Sequence, residues 1–201
     1  MGKNCDTKEK LLQAAFDLIW NQSYGSVSVD QICELAGVNK GSFYHFFPSK
    51  SDLAVAAYEE HWREKQPELD RIFSPQIPPL ERLELWCENI YERQKQKAKK
   101  YGHVCGCPYA SLGTELATQD ERIRAKTQEL ADRSIRYVES ALRDAHHQGL
   151  VSLDEPQLSA RRVYAMALGL SMHAKIRNDL DLFQDLKLSV MEMIGAKALT
   201  V

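Results

Sequence analysis

The sequence predicts an all-α protein of about nine helices, and three observations carry that reading. Apolar residues recur at helical spacing through most of the chain. No stretch alternates with the two-residue period of a strand over a useful length. The periodic segments are punctuated where helices start and stop, by a capping pattern at Ser28, glycines at 37 and 149, and prolines at 48, 75, 78, 79 and 156. There is no internal repeat and no low-complexity tract.

Composition sets the outer limits. At 201 residues with 44% hydrophobic and 27% charged residues, the chain can bury a proper core and reads as globular. No apolar run approaches the roughly 18 residues that a membrane span needs. The start, MGKNCDTKEK, lacks the apolar stretch of a signal peptide. Gly2 invites a lipidation reading, but Asp6 stands where that motif needs Ser or Thr. A cytoplasmic location is expected. The five cysteines (5, 33, 87, 105, 107) are an odd number without paired spacing, so reduced thiols are expected. Cys33 and Cys87 fall on helical patterns and read as small core residues.

The first helix is expected from about Thr7 to Gln22, capped by Asp6 or Thr7. Leu12, Ala15, Phe16 and Ile19 form its apolar stripe, flanked by Leu11 and Trp20. A turn containing Gly25 follows. Ser28, with Gln31 three residues on, has the pattern of a capping box. Ile32, Leu35 and Ala36 then run at helical spacing to Gly37, a natural left-handed C-cap. Asn39 is placed to cap a very short helix from Lys40 to about Phe47. Pro48 stops it, and Ser49 with Asp52 starts another helix.

Two helices joined by a tight Gly-containing turn make a helix-turn-helix, whose second helix enters the DNA major groove. That second helix, KGSFYHFF, has rings on every side of about two turns. One face must pack, through Phe43 and Phe46 or Phe47. The other must meet a polar partner through Lys40, Ser42, Tyr44 and His45. Gly41 lowers helix propensity by about 1 kcal/mol relative to Ala, which suggests close approach of another backbone. The opposing reading is a small aromatic core with solvated polar residues around it.

The run AGVNKGSFYHFFPSKSDL resembles the DNA-binding signature of the TetR family of transcriptional repressors, and the preceding helix and SVSVDQI segment fit as well. The match covers roughly the first fifty-five residues; beyond them the chain fits by length and helical pattern. The resemblance implies a DNA-binding domain at residues 1–50 and a helical effector-binding and dimerisation domain at 51–201. Ser28, Asn39, Lys40, Gly41, Ser42, Tyr44, His45 and Lys50 are the candidate DNA-contacting residues. The net charge of −2 sits awkwardly with that role. Through residue 50, five lysines (3, 8, 10, 40, 50) balance five acids (6, 9, 17, 30, 34). Phosphate contacts must therefore come from a sparse set, and a dimer that joins two weak half-site contacts is expected.

The helix from Ser49 is expected through Trp62 and on toward Phe73, with Pro67 either kinking or ending it. Residues 74–79, with three prolines in six positions, are a break. A helix from Leu80 to about Lys100 follows, carrying Leu83, Trp86 and Ile90 on one side and a basic last turn that suits the helix dipole. The loop Tyr101-Gly-His-Val-Cys-Gly-Cys-Pro leads into a helix from Tyr109 to Thr118. Another starts near Asp120 and runs to His147, closed by Gly149. Pro156 opens a helix to about Asn178 that is rich in small residues (Ala160, Ala165, Ala167, Gly169, Ser171, Ala174). Asp181 opens the last, whose stripe is Leu182, Leu186, Val190, Met193 and Ile194. Small residues on one helix and a sustained stripe on the next suggest a two-fold dimer through a four-helix bundle, formed by 154–178 and 181–198. The TetR resemblance implies the same contact. An intramolecular core is the other reading.

The resemblance also implies an effector pocket among the middle helices. Candidate lining residues are Trp62, Trp86, Ile90, Cys107, Leu112, Met166, Leu170 and His173, with Tyr58 and Tyr109 beside them. Helical spacing does not separate a lined cavity from a filled core. Cys107 stands before Pro108 at a helix start, where the dipole favours thiolate. The Gly-Cys start and the following Glu115-Leu116-Ala117 resemble a NemR-like subgroup of the family that includes electrophile-responsive repressors. On that resemblance Cys107 is the candidate sensing thiol, with structural packing as the alternative. His103, Cys105 and Cys107, with His146 or His147, could instead hold a metal, but no second paired element with finger-like spacing accompanies them. No Asp or Asn partner marks a Cys-dependent enzyme, and HExxH and phosphate-cradling loops are absent.

The chain thus reads as a DNA-binding regulator, not an enzyme, with no cofactor. It is expected to be a repressor released from a palindromic operator by a small molecule, electrophile or oxidant. The alternative is a helical interaction or metal-sensing protein whose helix-turn-helix does not read DNA.

Overall fold

The computed structural model describes residues 2–196, with side chains described from Asp6 to Ala196. Among the described residues there are nine α-helices and one short 3-10 helix, and no strand. The expectation of an all-α fold holds. The chain divides into two compact units, residues 1–65 with 108–130, and residues 66–107 with 131–201. The expected division at residue 50 falls at the first residue of a continuous helix, which stays in the first unit to residue 65 before entering the second.

In the first unit, α1 (Gly2–Asn21) packs against α2 (Val29–Ala36), α3 (Lys40–Phe46) and α6 (Pro108–Leu116). Leu11, Leu12, Ala15, Phe16, Ile19 and Trp20 of α1 are buried, as the apolar stripe requires. α1 begins earlier than the caps suggested: Asp6 lies inside the helix and pairs with Lys10 one turn on at 2.7 Å. The caps of α2 and α3 are those expected. The Ser28 hydroxyl accepts from Gln31 N–H while the Gln31 side chain accepts from Ser28 N–H. Gly37 closes α2 at φ 66°, where a side chain would be strained. The Asn39 side-chain oxygen (Oδ1) accepts from Ser42 N–H at 2.8 Å. Ser49 and Asp52 then start α4 (Lys50–Ile72), the serine hydroxyl donating to the carboxylate and accepting from Asp52 N–H. α4 continues through Pro67, so the proline sits inside the helix without ending it.

In the second unit, α5 (Pro79–Tyr101), the C-terminal part of α7 (Glu121–His147) and α8 (Pro156–Arg177) are followed by the 3-10 helix Asp181–Asp185 and α9 (Leu186–Met193). The proline-rich break before α5 is pinned by Arg82. Its buried guanidinium donates to the carbonyls of Ile77 (2.7 Å) and Pro75 (3.2 Å) and pairs with Asp144 at 2.5 Å. α8 buries Ala160, Val163, Ala167, Ser171 and Ala174 at helical spacing, and α9 packs against both α5 and α8.

This packing corrects the reading of the last helix. Leu186 and Val190 are 0% exposed and Ile194 is buried, so these three of the five residues assigned to a dimer stripe are covered within the chain, where α9 packs on α5 and α8, while Leu182 is half-buried and Met193 exposed. A periodic stripe shows that a face is covered, not what covers it. The large apolar residues left exposed on α8 and α9 are Leu158, Ile176, Leu188 and Met193. The expected end of the last helix at residue 198 lies outside the described residues.

Candidate functional site

α3 divides its residues as the sequence requires. Phe43 is fully buried and Phe47, its C-cap, nearly so, while Phe46 is half-buried. Asn39, Lys40, Gly41, Tyr44 and His45 are exposed and Ser42 half-buried. Tyr44 stacks edge-on against Phe43 with centroids 4.9 Å apart, so a buried ring supports an exposed one. A short helix capped at both ends, with its apolar rings seated and its polar groups outward, makes a small polar head.

Its electrostatics are modest. Lys40 pairs with Asp30 of α2 at 2.7 Å, and that hydrogen bond raises the lysine pKa. Lys50, expected as a phosphate contact, spends two of its three N–H donors inside the protein. Its Nζ donates to the carbonyls of Tyr24 and Val27, both at 2.8 Å, and lies 3.9 Å from the centroid of the Tyr24 ring. Burial lowers its pKa, opposed by the nearby Glu115 charge. Lys50 therefore clamps the α1–α2 turn and keeps one donor for another partner.

Two further groups hold this unit together; the sequence places Asp120 at the start of α7, but not its bond to α4 nor the role of Glu115. The Glu115 carboxylate on α6 accepts from Tyr24 N–H at 2.9 Å and from Gly25 N–H at 2.6 Å. Asp120 caps α7 by accepting from Arg122 N–H and Ile123 N–H, and it accepts the Ser51 hydroxyl of α4 at 2.5 Å. These bonds, the serine's first, depress the Asp120 pKa. Arg122 in turn pairs with Asp52 at 2.5 Å. Apart from the α7 cap itself, the partners are some 70 to 90 residues apart, and no local pattern signals them.

The expected pocket residues fall in both units. In the first unit Trp62 and Leu112 are buried, and the Trp62 and Tyr58 rings lie 6.4 and 6.1 Å from that of Tyr109. In the second, Trp86 is buried, Ile90, Met166 and Leu170 are half-buried and His173 is exposed on α8. A groove of about 330 Å³ is lined by α1 and α4 residues including Glu9, Phe16, Glu60 and His61. Another of about 640 Å³ is lined by Leu80, Glu84, Leu85, Glu88 and Leu150. None of the eight candidates lines either groove.

The cysteine loop is tied to α5 and to Asn178 by hydrogen bonds. The buried Gln94 amide accepts from Gly106 N–H (3.1 Å) and donates to Gly106 C=O (2.9 Å), and Val104 N–H donates to the Asn178 side chain at 2.9 Å. Gly106 has φ +70° and faces the Ser171 carbonyl and the Lys175 stem, so a side chain there would be both strained and crowded. Cys105 is buried and desolvation raises its pKa, with Lys175 and Lys97 pulling it down. Cys107 is the half-exposed one, directly before Pro108 at the start of α6. Burial also raises Cys33, and Cys87 to about 12. Cys5 lies outside the described side chains. Among the described residues, no group of three or more His, Cys, Asp or Glu could hold a metal ion, so His103, Cys105 and Cys107 do not form such a group. Nor is any helix among them long and apolar enough to cross a membrane.

Comparisons with known proteins agree with this architecture. The profile for bacterial regulatory proteins of the tetR family matches residues 11–57, and the tetracyclin repressor-like C-terminal domain profile matches 79–187. An HTH-type transcriptional regulator from the lacX 3′ region of Lactococcus lactis is 31% identical over 96% of each chain. The HTH-type transcriptional repressor NemR of Escherichia coli K12 is 25% identical over 96% of each chain. The crystal structure of the reduced form of E. coli NemR superposes with a TM-score of 0.82 over 96% of this chain and 100% of that one, at 25% identity. A regulatory protein TetR from Rhodobacter sphaeroides gives 0.81 at 26% identity, over 92% and 97%.

Proposed function

Because the chain belongs to the TetR family of bacterial DNA-binding transcriptional regulators, we propose that it is a cytoplasmic homodimeric repressor that leaves a short palindromic operator when a signal reaches its C-terminal unit. The observation that carries this reading is the face of α3. Lys40, Gly41, Tyr44 and His45 are exposed on a helix whose two ends are capped and whose rings are seated. The sparse charge of the head, with Lys40 paired and Lys50 engaged in a turn, gives few phosphate contacts per copy. Two copies, spaced about one DNA turn apart, supply what one lacks.

The second copy is assigned to α8 and α9. Ile176 and Leu188 are 80% and 62% exposed, unlike the covered stripe on α9's other side. Gly169 and Ala165, small and exposed on α8, let a partner helix come close.

The signal is read as a thiol-reactive species acting at Cys107, which the half-exposed position favours over the three buried thiols. The relative NemR, a repressor whose solved structure is described as a reduced form, supports this choice. A small-molecule effector is the second input, at Trp62, Trp86, Ile90, Leu112, Met166, Leu170 or His173. Its support is the family membership alone, because none of these residues lines a described groove. Either signal works by favouring a dimer whose two α3 helices no longer match the groove spacing.

The test is fluorescence anisotropy of the DNA upstream of the protein's own gene. Binding is expected, weakened by Tyr44→Ala and released by N-ethylmaleimide in wild type but not in Cys107→Ser. Release of Cys107→Ser by the same reagent would remove the thiol input, and indifference to Tyr44→Ala would remove the α3 reading.

A further inference from the structure

We propose that Glu115 is a positioning residue for DNA reading: through its carboxylate, α6 fixes the turn from which the helix-turn-helix starts. The proposal rests on the operator reading above and adds to it a residue outside the first fifty-five.

The turn between α1 and α2 is held from two sides by opposite charges. Glu115 takes the N–H groups, one oxygen each for Tyr24 and Gly25, at 2.9 and 2.6 Å. Lys50 takes carbonyls, those of Tyr24 and Val27, at 2.8 Å each. Both polar groups of the Tyr24 backbone are thus spent on charged partners from different helices, α6 and α4. Bonds to an ionised partner are shorter and about twice as strong as neutral ones. Gly25 leaves room for the approach, since a Cβ there would stand 3.1 Å from Glu115 Oε1 and the carboxylate would have to give by a few tenths of an ångström.

What the turn positions is the start of α2. Val27 is buried at 1% exposure and Ser28, next in the chain, is the N-cap whose φ and ψ set the helix direction. α2 packs on α3, so a shift of the turn is a shift of the reading face. A glutamate that merely solvated α6 would have no reason to place both oxygens on two successive amides 90 residues away. α6 also begins at Pro108, directly after Cys107, so the helix that holds the turn starts at the thiol assigned to sensing.

Three readouts on the full-length chain test this: exchange of the Tyr24 and Gly25 amide protons, the melting temperature, and the dissociation constant for its own upstream DNA. Glu115→Ala is expected to speed exchange at both amides and raise the dissociation constant about tenfold, as the competent fraction falls to roughly a tenth. Glu115→Gln keeps one acceptor oxygen but turns an NH₂ toward the second amide, so it should recover part of the affinity. Gly25→Ala presses on the same carboxylate from the other side and should weaken binding in the same direction while leaving Glu115 in place. A merely structural role would lower the melting temperature and leave the affinity of the folded protein unchanged. Affinity within twofold of wild type in both Glu115→Ala and Gly25→Ala overturns the proposal, as does unchanged exchange at the two amides. If Glu115→Ala does not fold, Glu115→Gln and Gly25→Ala carry the same criteria. Wild type that ignores the DNA overturns the operator reading itself, and that result differs from a wild type that binds alongside variants that bind equally.

Discussion

A glutamate placed at Leu188 separates the dimer surface from the core. In the single chain Leu188 is 62% exposed, so Leu188→Glu puts the carboxylate in water and should change monomer stability by no more than about 0.5 kcal/mol. In a two-fold dimer through α8 and α9 the same residue occurs twice, once from each copy. Each buried, unpaired carboxylate costs several kcal/mol; taking about 3 kcal/mol for each gives about 6 kcal/mol for the pair. At about 1.4 kcal/mol per factor of ten, the dimer dissociation constant rises roughly ten-thousandfold. Sedimentation from nanomolar to micromolar concentration should show a folded monomer with a melting temperature near that of the wild-type monomer. Val190→Glu is the contrasting change. Val190 is 0% exposed, so its carboxylate is buried in the monomer and the protein should lose its cooperative melt altogether. A Leu188→Glu protein that stays dimeric would refute the assignment of this face, and a folded Val190→Glu monomer would refute the packing of α9.

Two other outcomes follow from the thiols and the carboxylates. Brief treatment with limiting maleimide near neutral pH should label Cys107 before Cys33, Cys87 and Cys105, read by mass spectrometry, because the last three are buried with raised pKa values; labelling of Cys105 first would overturn the loop geometry. Asp120, whose folded pKa is depressed by its hydrogen bonds, contributes stability above the ordinary carboxylate value of about 4 and loses it as the pH falls through the folded value. The stability gap between wild type and Asp120→Asn in denaturant melts should therefore be full at pH 6 and close on acidification below about pH 4; a gap that widens there would contradict the Ser51 and α7 contacts.

The sequence disclosed what is local. The capping box at Ser28, the left-handed Gly37, the Asn39 cap and the Ser49–Asp52 start each lie within three or four residues of what they satisfy, and the structure has all four. The division of α3 into seated and outward rings was legible because four large rings on two turns leave little choice. Lys50 was different: its charge suggested phosphate, but its two carbonyl partners are 26 and 23 residues away in sequence and gave no sign. Glu115 stood in a recognised segment, yet its partners are some 90 residues off. The Leu186, Val190, Ile194 stripe read as a dimer surface, and only packing could show that these residues are covered within the chain, where α9 lies on α5 and α8.

The central claim, a dimeric operator reader with few phosphate contacts per copy, is tested most directly by a salt titration of binding to its own upstream DNA beside a scrambled fragment. Each neutralised phosphate contributes about −0.9 to the slope of log affinity against log salt. A head that offers Tyr44, Lys40 and one remaining Lys50 donor should give a shallow slope, made shallower by Lys40→Ala, with tight binding confined to the native fragment. Equal affinity for both fragments at every salt concentration, or no binding to either, would contradict the account.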